Sequence, residues 1–208
     1  MAAGKDALVG VTQRLEQSES LDGLRSVYTT LAAKVDRWPG SEVLRSGLIG
    51  HALHPLLTDL PLGLWTAATA LDLRGRPSDR AASRWLVGAG LAASAPTALT
   101  GLAELAHVER AAGQRVGALH GALNAVASTL YVASFVARSR RRHTLGVTTA
   151  LAGAVMTGAS GYLGGHLTTA RKVGSRDPAY AHDPVGSPDA AVAQPHPIDP
   201  VAGPGALT

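Results

Sequence analysis

Cysteine is absent from this chain of 208 residues. Its absence excludes disulfide bonds, thiolate metal sites and a cysteine-ligated iron–sulphur cluster within the polypeptide. Aromatic residues are scarce, at 4% of the chain, whereas glycine is abundant, with 24 residues. The helices of such a chain must pack through small side chains rather than through large rings. The length gives room for one domain with flanking segments.

Motifs of the common enzyme classes are also missing. The sequence has no Ser–His–Asp arrangement, no phosphate-cradling glycine loop and no nucleotide fingerprint. The isoelectric point is near 9.8, but the arginines occur in short loops between apolar runs, which indicates membrane topology rather than nucleic-acid binding. We therefore expect a protein that does not bind nucleic acid and favour a non-catalytic role.

Apolar residues are concentrated in four runs, at 55–73, 81–105, 116–137 and 145–168. At 1.5 Å per residue, each run is long enough to cross about 30 Å of hydrocarbon as a helix. The connections are short, so consecutive helices are expected to be antiparallel neighbours. The sequence thus predicts an all-α fold, a four-helix antiparallel transmembrane bundle over residues 46–170. A soluble Ala-rich bundle is the alternative, which the lack of a charged helix face disfavours.

Three prolines bear on these helices. Pro55 suits the first helical position and steers His54 away from helical geometry. Pro61 loosens the first turns of the first helix so that carbonyls can point inward. Pro96, in the middle of the second run, frees a backbone carbonyl and kinks the helix, which is tolerated when neighbouring helices or Ser and Thr side chains compensate.

The segments on either side of the bundle differ in character. Residues 1–45 lack a signal-peptide pattern and show helical spacing of apolar residues, which predicts an amphipathic segment docked on the bundle or lying in the membrane interface. Residues 171–208 contain seven prolines and few large apolar groups. We expect this segment, which includes His182 and His196, to be a disordered tail.

Arginines in the connections predict an orientation. The first connection carries four arginines, Arg74, Arg76, Arg80 and Arg84, and the third carries four, Arg138, Arg140, Arg141 and Arg142. The second connection carries only two, whose charge is partly offset by nearby acids. The positive-inside rule places the arginine-rich loops in the cytoplasm. We therefore expect a multi-pass protein of the cell membrane with both termini outside. Basic residues near both ends of the bundle weaken the charge difference between the two sides.

Most of the histidines fall at the other end of the predicted bundle. Antiparallel topology brings together five histidines from four helices, with two carboxylates nearby: His51, His54, His107, His120, His166, Asp59 and Glu104. Ionisable groups within a membrane span usually face the bundle interior or a wet cavity. Other interpretations are interfacial anchoring of the histidines and pairing of the two acids with Arg45, Arg110 or Arg115.

Four segments resemble an uncharacterised bacterial four-helix membrane family, a domain of unknown function whose members are often joined to a Rieske iron–sulphur domain. The segments are GHALHPLLTDLPLGLW, GLAELAHVER, ALHGALN and GYLGGHL, within about residues 45–175. The matching positions are His51, His54, Pro55, Asp59, Pro61, Glu104, His107, His120, Gly164, Gly165 and His166. Because this chain has no cysteine, it cannot hold a Rieske cluster itself. The resemblance therefore implies at most an association with redox proteins, through a separate Rieske-type or other redox partner.

Three functions compete at this point. In the first, two histidines ligate a b-type haem for electron transfer, with His120 and His166 as the preferred axial pair and His54 in reserve. In the second, some of the five histidines and a carboxylate, Asp59 or Glu104, bind an iron, copper or zinc ion. In the third, the protein is a non-catalytic membrane scaffold or assembly partner that contacts the bilayer and binds no cofactor.

Overall fold

The computed structural model describes residues 2–45 and 49–175, and these ranges contain seven α-helices and no strand. The helices are α1 (Ala2–Gln17), α2 (Asp22–Asp36), α3 (Ser41–Arg45), α4 (Leu53–Arg74), α5 (Arg80–Leu105), α6 (Ala111–Ser139) and α7 (His143–Gly165). A short π-helical segment, His166–Ala170, follows α7. The all-α prediction is confirmed. The predicted disorder of residues 176–208, with His182 and His196, lies outside the described residues.

Two boundaries differ from those predicted. The helix α4 begins at Leu53, so His54 is helical although it precedes a proline. The first turn of a helix has no intrahelical partner for its N–H groups, so a proline at its third position removes no hydrogen bond. Residues 171–175, which we assigned to the tail, belong to the folded unit, where Ser175 binds Glu104.

The four long helices form a bundle of antiparallel neighbours. Side chains near the start of α4 contact the end of α5, and Ser83 near the start of α5 binds Asp72 near the end of α4. The same crossing pattern relates α6 and α7. Neighbouring contacts run α4 to α5 to α6 to α7 and back to α4, so α4 and α6 occupy opposite corners of the bundle.

The bundle contains an internal repeat in which α4–α5 corresponds to α6–α7. Residue pairs that meet on the central axis are each separated by 66 positions: His54 and His120, Trp65 and Tyr131, and Asp72 and Arg138. Their contacts on the adjacent helix are separated by 63 positions: Gly90 and Gly153, Thr97 and Ser160, and Gly101 and Gly164. Two similar helical hairpins therefore pack around one pseudo-two-fold axis.

The N-terminal helices dock on the histidine end of the bundle. The helix α1 packs on α6, α2 packs on both α5 and α6, and α3 packs on α5. Asp22 of α2 accepts two hydrogen bonds from Arg115 of α6, at 2.8 and 3.0 Å. Of the two placements considered for this segment, the structure shows docking on the bundle.

Large apolar side chains are exposed on the outside of the bundle, and several polar side chains are buried inside it beside the apolar core. Exposed apolar residues occur on all four long helices, including Leu56, Leu60, Trp85, Leu99, Val126, Val132, Leu151 and Val155. Buried polar residues include Ser83, Thr97, Thr100, Ser134 and Ser160. By length and composition, two helical segments can cross a membrane, Pro77–Leu105 and Ala111–Ser139. The helices α4 and α7, at 22 and 23 residues, are not among these two segments.

Candidate histidine site

His54 is anchored to the neighbouring helix of its own hairpin. Its Nδ1 lies 2.9 Å from the Thr97 carbonyl oxygen and 3.3 Å from the Thr100 hydroxyl. Because a carbonyl can only accept, Nδ1 carries the proton and Nε2 holds the lone pair. Among the described residues, this Nε2 makes no hydrogen bond.

Pro61 contributes to this anchor. It has no N–H, so the carbonyl of Leu57, four residues earlier, loses its intrahelical donor. The Thr97 hydroxyl donates to that carbonyl at 3.1 Å, while the Thr97 carbonyl accepts from His54. A hydroxyl thus compensates for the proline, and the same residue fixes the histidine ring.

His120 is held in the equivalent way by the second hairpin. Its Nδ1 donates to the Ser160 carbonyl at 2.8 Å and also lies 2.9 Å from the Ser160 hydroxyl. The amide nitrogen of Asn124 donates to its Nε2 at 3.1 Å. A backbone carbonyl that fixes the Nδ1–H tautomer is a common arrangement for histidines that ligate a metal through Nε2.

The two rings meet at the bundle axis. Their centres are 6.2 Å apart and their planes are nearly perpendicular, at 88°. Each ring lies against a glycine of its own hairpin: a Cβ at Gly101 would be 2.8 Å from Cε1 of His54, and one at Gly164 would be 3.0 Å from Cε1 of His120. Larger residues at these two positions would push the rings from their places.

Aromatic rings fill the axis beyond the histidines. Trp65 and Tyr131 stack with centres 3.9 Å apart and an interplanar angle of 13°. The indole nitrogen of Trp65 donates to the Val87 carbonyl at 3.3 Å. This stack separates the histidine pair from the opposite end of the bundle.

An ion pair closes the arginine end of the axis, and the sequence reasoning missed it. Asp72 and Arg138 form two hydrogen bonds, at 2.9 and 2.5 Å, and both side chains are only 2% exposed. Ser83 bridges them, donating to Asp72 and accepting from Arg138. The sequence pattern groups Arg138 with the other arginines of the third connection. The signal for a buried pair was Asp72, an acid near the end of the first apolar run.

His166, the axial partner of His120 preferred from sequence, binds an acid of α1 in the structure. His166 Nε2 lies 2.8 Å from Glu16 on α1, and Arg171 also binds Glu16. The hydrogen bonds from the Arg171 guanidinium and, less strongly, from the His166 ring lower the pKa of Glu16 below its ordinary value of 4.5, against the opposing effect of burial.

The remaining predicted site residues bind other partners or are exposed. His107 binds Asp36 of α2 at 2.8 Å, and this hydrogen bond lowers the pKa of the Asp36 carboxyl. His51 and Asp59 are exposed, and Glu104 binds Ser175. Within residues 2–45 and 49–175, no three histidines or acids are placed to hold one metal ion. Of the predicted set, His54 and His120 meet at the bundle axis, and Glu104 and His107 line one cavity at the same end of the bundle.

Residues 50–177 match the family described as "Predicted membrane protein (DUF2231)". The chain belongs to this family. The match confirms the resemblance inferred from the four sequence segments, including the unknown function of the domain. Neither a curated protein nor a solved structure matches the chain. The family description and the two apolar helices together indicate a membrane protein in contact with lipid.

Proposed function

We propose that all four long helices cross the membrane. The supporting observation is the inverted distribution of side chains: leucine and valine face outward on α4 and α7 as they do on α5 and α6, while an ion pair and several hydroxyls lie inside. A soluble helix presents its charged face to water. In this arrangement the arginine-rich connections lie in the cytoplasm and both termini outside.

Within this bundle we propose a redox module in which His54 and His120 ligate a b-type haem. The observation that carries the proposal is the matched pair of rings, each with Nδ1–H fixed by a backbone carbonyl. If two imidazoles bound one metal ion from opposite sides, their ring centres would be roughly 6 Å apart. This separation is the sum of two metal–nitrogen bonds of about 2.0–2.1 Å and, for each ring, the distance from the nitrogen to the ring centre. The two rings here have a similar separation.

The residues around the pair fit this ligand set, with one change. Gly101 and Gly164 leave space for the rings, and Thr97 and Ser160 orient them. Nε2 of His120 now accepts from Asn124, so that amide must turn aside for Nε2 to bind iron. Haem b supplies one-electron redox chemistry, and a separate Rieske-type or other redox protein is the proposed electron partner.

Haem and iron content of one purified sample test this function. The full chain is extracted gently from its native membrane. Haem is quantified from the absorbance of its pyridine complex, and metals in the same sample are quantified by elemental analysis. We expect haem and iron in equal amounts, near one per chain. Stoichiometric copper, zinc or non-haem iron would instead favour the metal-ion site, and the absence of haem and metal would contradict both cofactor proposals.

A non-catalytic membrane scaffold is the second candidate function. The stacked rings and the buried ion pair favour it, because they fill the axis and join all four helices without any ligand. On this account the histidines also serve packing, through their hydrogen bonds to neighbouring backbone. The cofactor analysis separates the two functions directly.

A further inference from the structure

A cavity of about 600 Å³ lies at the histidine end of the bundle, away from the His54–His120 pair. Glu16, Glu104, His107, Arg110 and Arg171 contribute to its lining, together with residues 173–175. This volume falls within the range of small-molecule sites, which is about 300–1,000 Å³. The cavity is therefore large enough for a small polar molecule or a lipid headgroup.

Glu104 is the buried carboxylate of this lining without an ion pair, although Arg110, Arg171 and Lys172 also line the cavity. Its Oε2 accepts from the backbone N–H and the hydroxyl of Ser175, at 2.7 and 2.9 Å. Its Oε1 is buried without a hydrogen-bond partner, and the residue is only 9% exposed. The part of the chain that the structure describes provides no ion pair to it. Glu16 differs, since both its oxygens are bound by Arg171 and His166.

The fold itself does not require an acid at this position. In the second hairpin the equivalent residue, 63 positions later, is Leu167. Leu167 is similarly buried, at 8% exposed, and packs with Val116 and Leu163. The hydrogen bonds from Ser175 account for Oε2 of Glu104. They leave Oε1 unexplained, and a buried carboxylate oxygen without a donor is unfavourable.

We propose that the cavity binds a primary ammonium group, which donates to Oε1 of Glu104. An ammonium is compact, cationic and carries three N–H donors, so it satisfies both the charge and the open acceptor. Because Oε1 is fully covered, binding requires a shift of the covering side chains. The ligand is a soluble amine or the ethanolamine headgroup of a lipid, which share this chemistry. The proposal does not depend on haem.

Ethanolamine and choline provide the test, because choline carries a quaternary ammonium without N–H. The unfolding midpoint of the full chain in detergent is measured by tryptophan fluorescence with each probe at equal ionic strength. We expect ethanolamine to raise the midpoint and choline to leave it unchanged. In nanodiscs, phosphatidylethanolamine is compared with phosphatidylcholine in the same way. Stabilisation by the lipid alone identifies the headgroup, and stabilisation by the soluble probe identifies an amine.

Variants at position 104 complete the test. Glu104→Gln keeps the shape and loses the charge, and Glu104→Leu copies the second hairpin, so it is expected to fold. Both should weaken the response to ethanolamine at least tenfold, whereas Glu109→Gln, at an exposed acid of the same cavity, should retain it. Equal stabilisation by choline, an unchanged response in Glu104→Leu, or no stabilisation by either form of ethanolamine would overturn the proposal.

Discussion

Asp72 and Arg138 show how much a single buried contact contributes to this fold. Each side chain is only 2% exposed, and the pair joins α4 and α6 across the axis. Removing one partner leaves the other charge buried and uncompensated, a change that typically costs about 3–5 kcal/mol. Replacing both with apolar residues of similar size avoids that penalty.

We therefore predict that Arg138→Ala lowers the free energy of unfolding by about 3–5 kcal/mol. Asp72→Leu combined with Arg138→Met should recover most of the loss. The measurement is reversible unfolding in detergent, with the exposed Arg140→Ala as the control, for which a change within about 0.5 kcal/mol is expected. A loss below about 1 kcal/mol in Arg138→Ala would contradict a buried ion pair.

Gly101 and Gly164 give a second prediction at the residue scale. An alanine Cβ at either position meets the adjacent histidine ring at 3.0 Å or less, so Gly101→Ala and Gly164→Ala should destabilise the bundle by about 1–3 kcal/mol. The controls are Gly63→Ala and Gly158→Ala, where a Cβ meets nothing within 4 Å. These controls should gain about 0.5–1 kcal/mol from helix propensity. Equal effects in the two sets would show that the rings lie elsewhere.

The sequence predicted the histidine end of the bundle but not the partners of its histidines. His54, His120 and His166 are the same residue type at the same end of the predicted bundle. Only packing decides which rings reach the axis. His166 turns to Glu16 on α1, a residue 150 positions earlier. No local sequence pattern predicts such a contact.

At the scale of the element, one acid adds an ionic contact to the packing of α1 on the bundle. Glu16 binds both Arg171 and His166, so the contact joins α1 to the end of α7. The pKa of Glu16 in the folded protein is lowered below 4.5. Its contribution to stability is therefore complete above that value and is lost as the pH falls through the lowered pKa.

We predict that α1 detaches in acid while the four-helix bundle persists. Glu16→Gln should reproduce this at neutral pH, because a buried hydrogen bond to a charged group contributes about 1.5–3 kcal/mol. Hydrogen exchange of the α1 amides should then be about 10- to 100-fold faster. The exposed Glu19→Gln serves as the control. Slow exchange of α1 in Glu16→Gln would show that other contacts hold the helix.

Helix positions were the part of the fold that the sequence predicted best. Apolar runs mark the four long helices within a few residues, because helix length and hydrophobicity are both local properties. The internal repeat is not visible in the sequence because corresponding residues of its two halves have equivalent contacts but different residue types. Trp65 corresponds to Tyr131 and Asp72 to Arg138, so similarity becomes visible only when contacts are compared.

At the scale of the whole molecule, the absence of cysteine permits a direct test of topology. Single cysteines at Ser78, Glu109 and Arg141, all exposed between the long helices, are labelled with an impermeant maleimide in whole cells and inverted vesicles. Four spans predict that Ser78→Cys and Arg141→Cys react only in inverted vesicles and Glu109→Cys only in whole cells. Reaction of positions 78 and 109 from the same side would contradict four spans.

The pairing of His54 with His120 at the bundle axis is the central claim, and a reduced-minus-oxidised absorbance spectrum tests it most directly. The full chain is compared with His54→Ala, His120→Ala, His107→Ala and His166→Ala, all extracted from the same membrane. We predict a b-type haem signal that is lost in the first two variants and retained in the last two. Loss of the signal in His166→Ala with retention in His54→Ala, or no signal in the unmodified protein, would contradict the account.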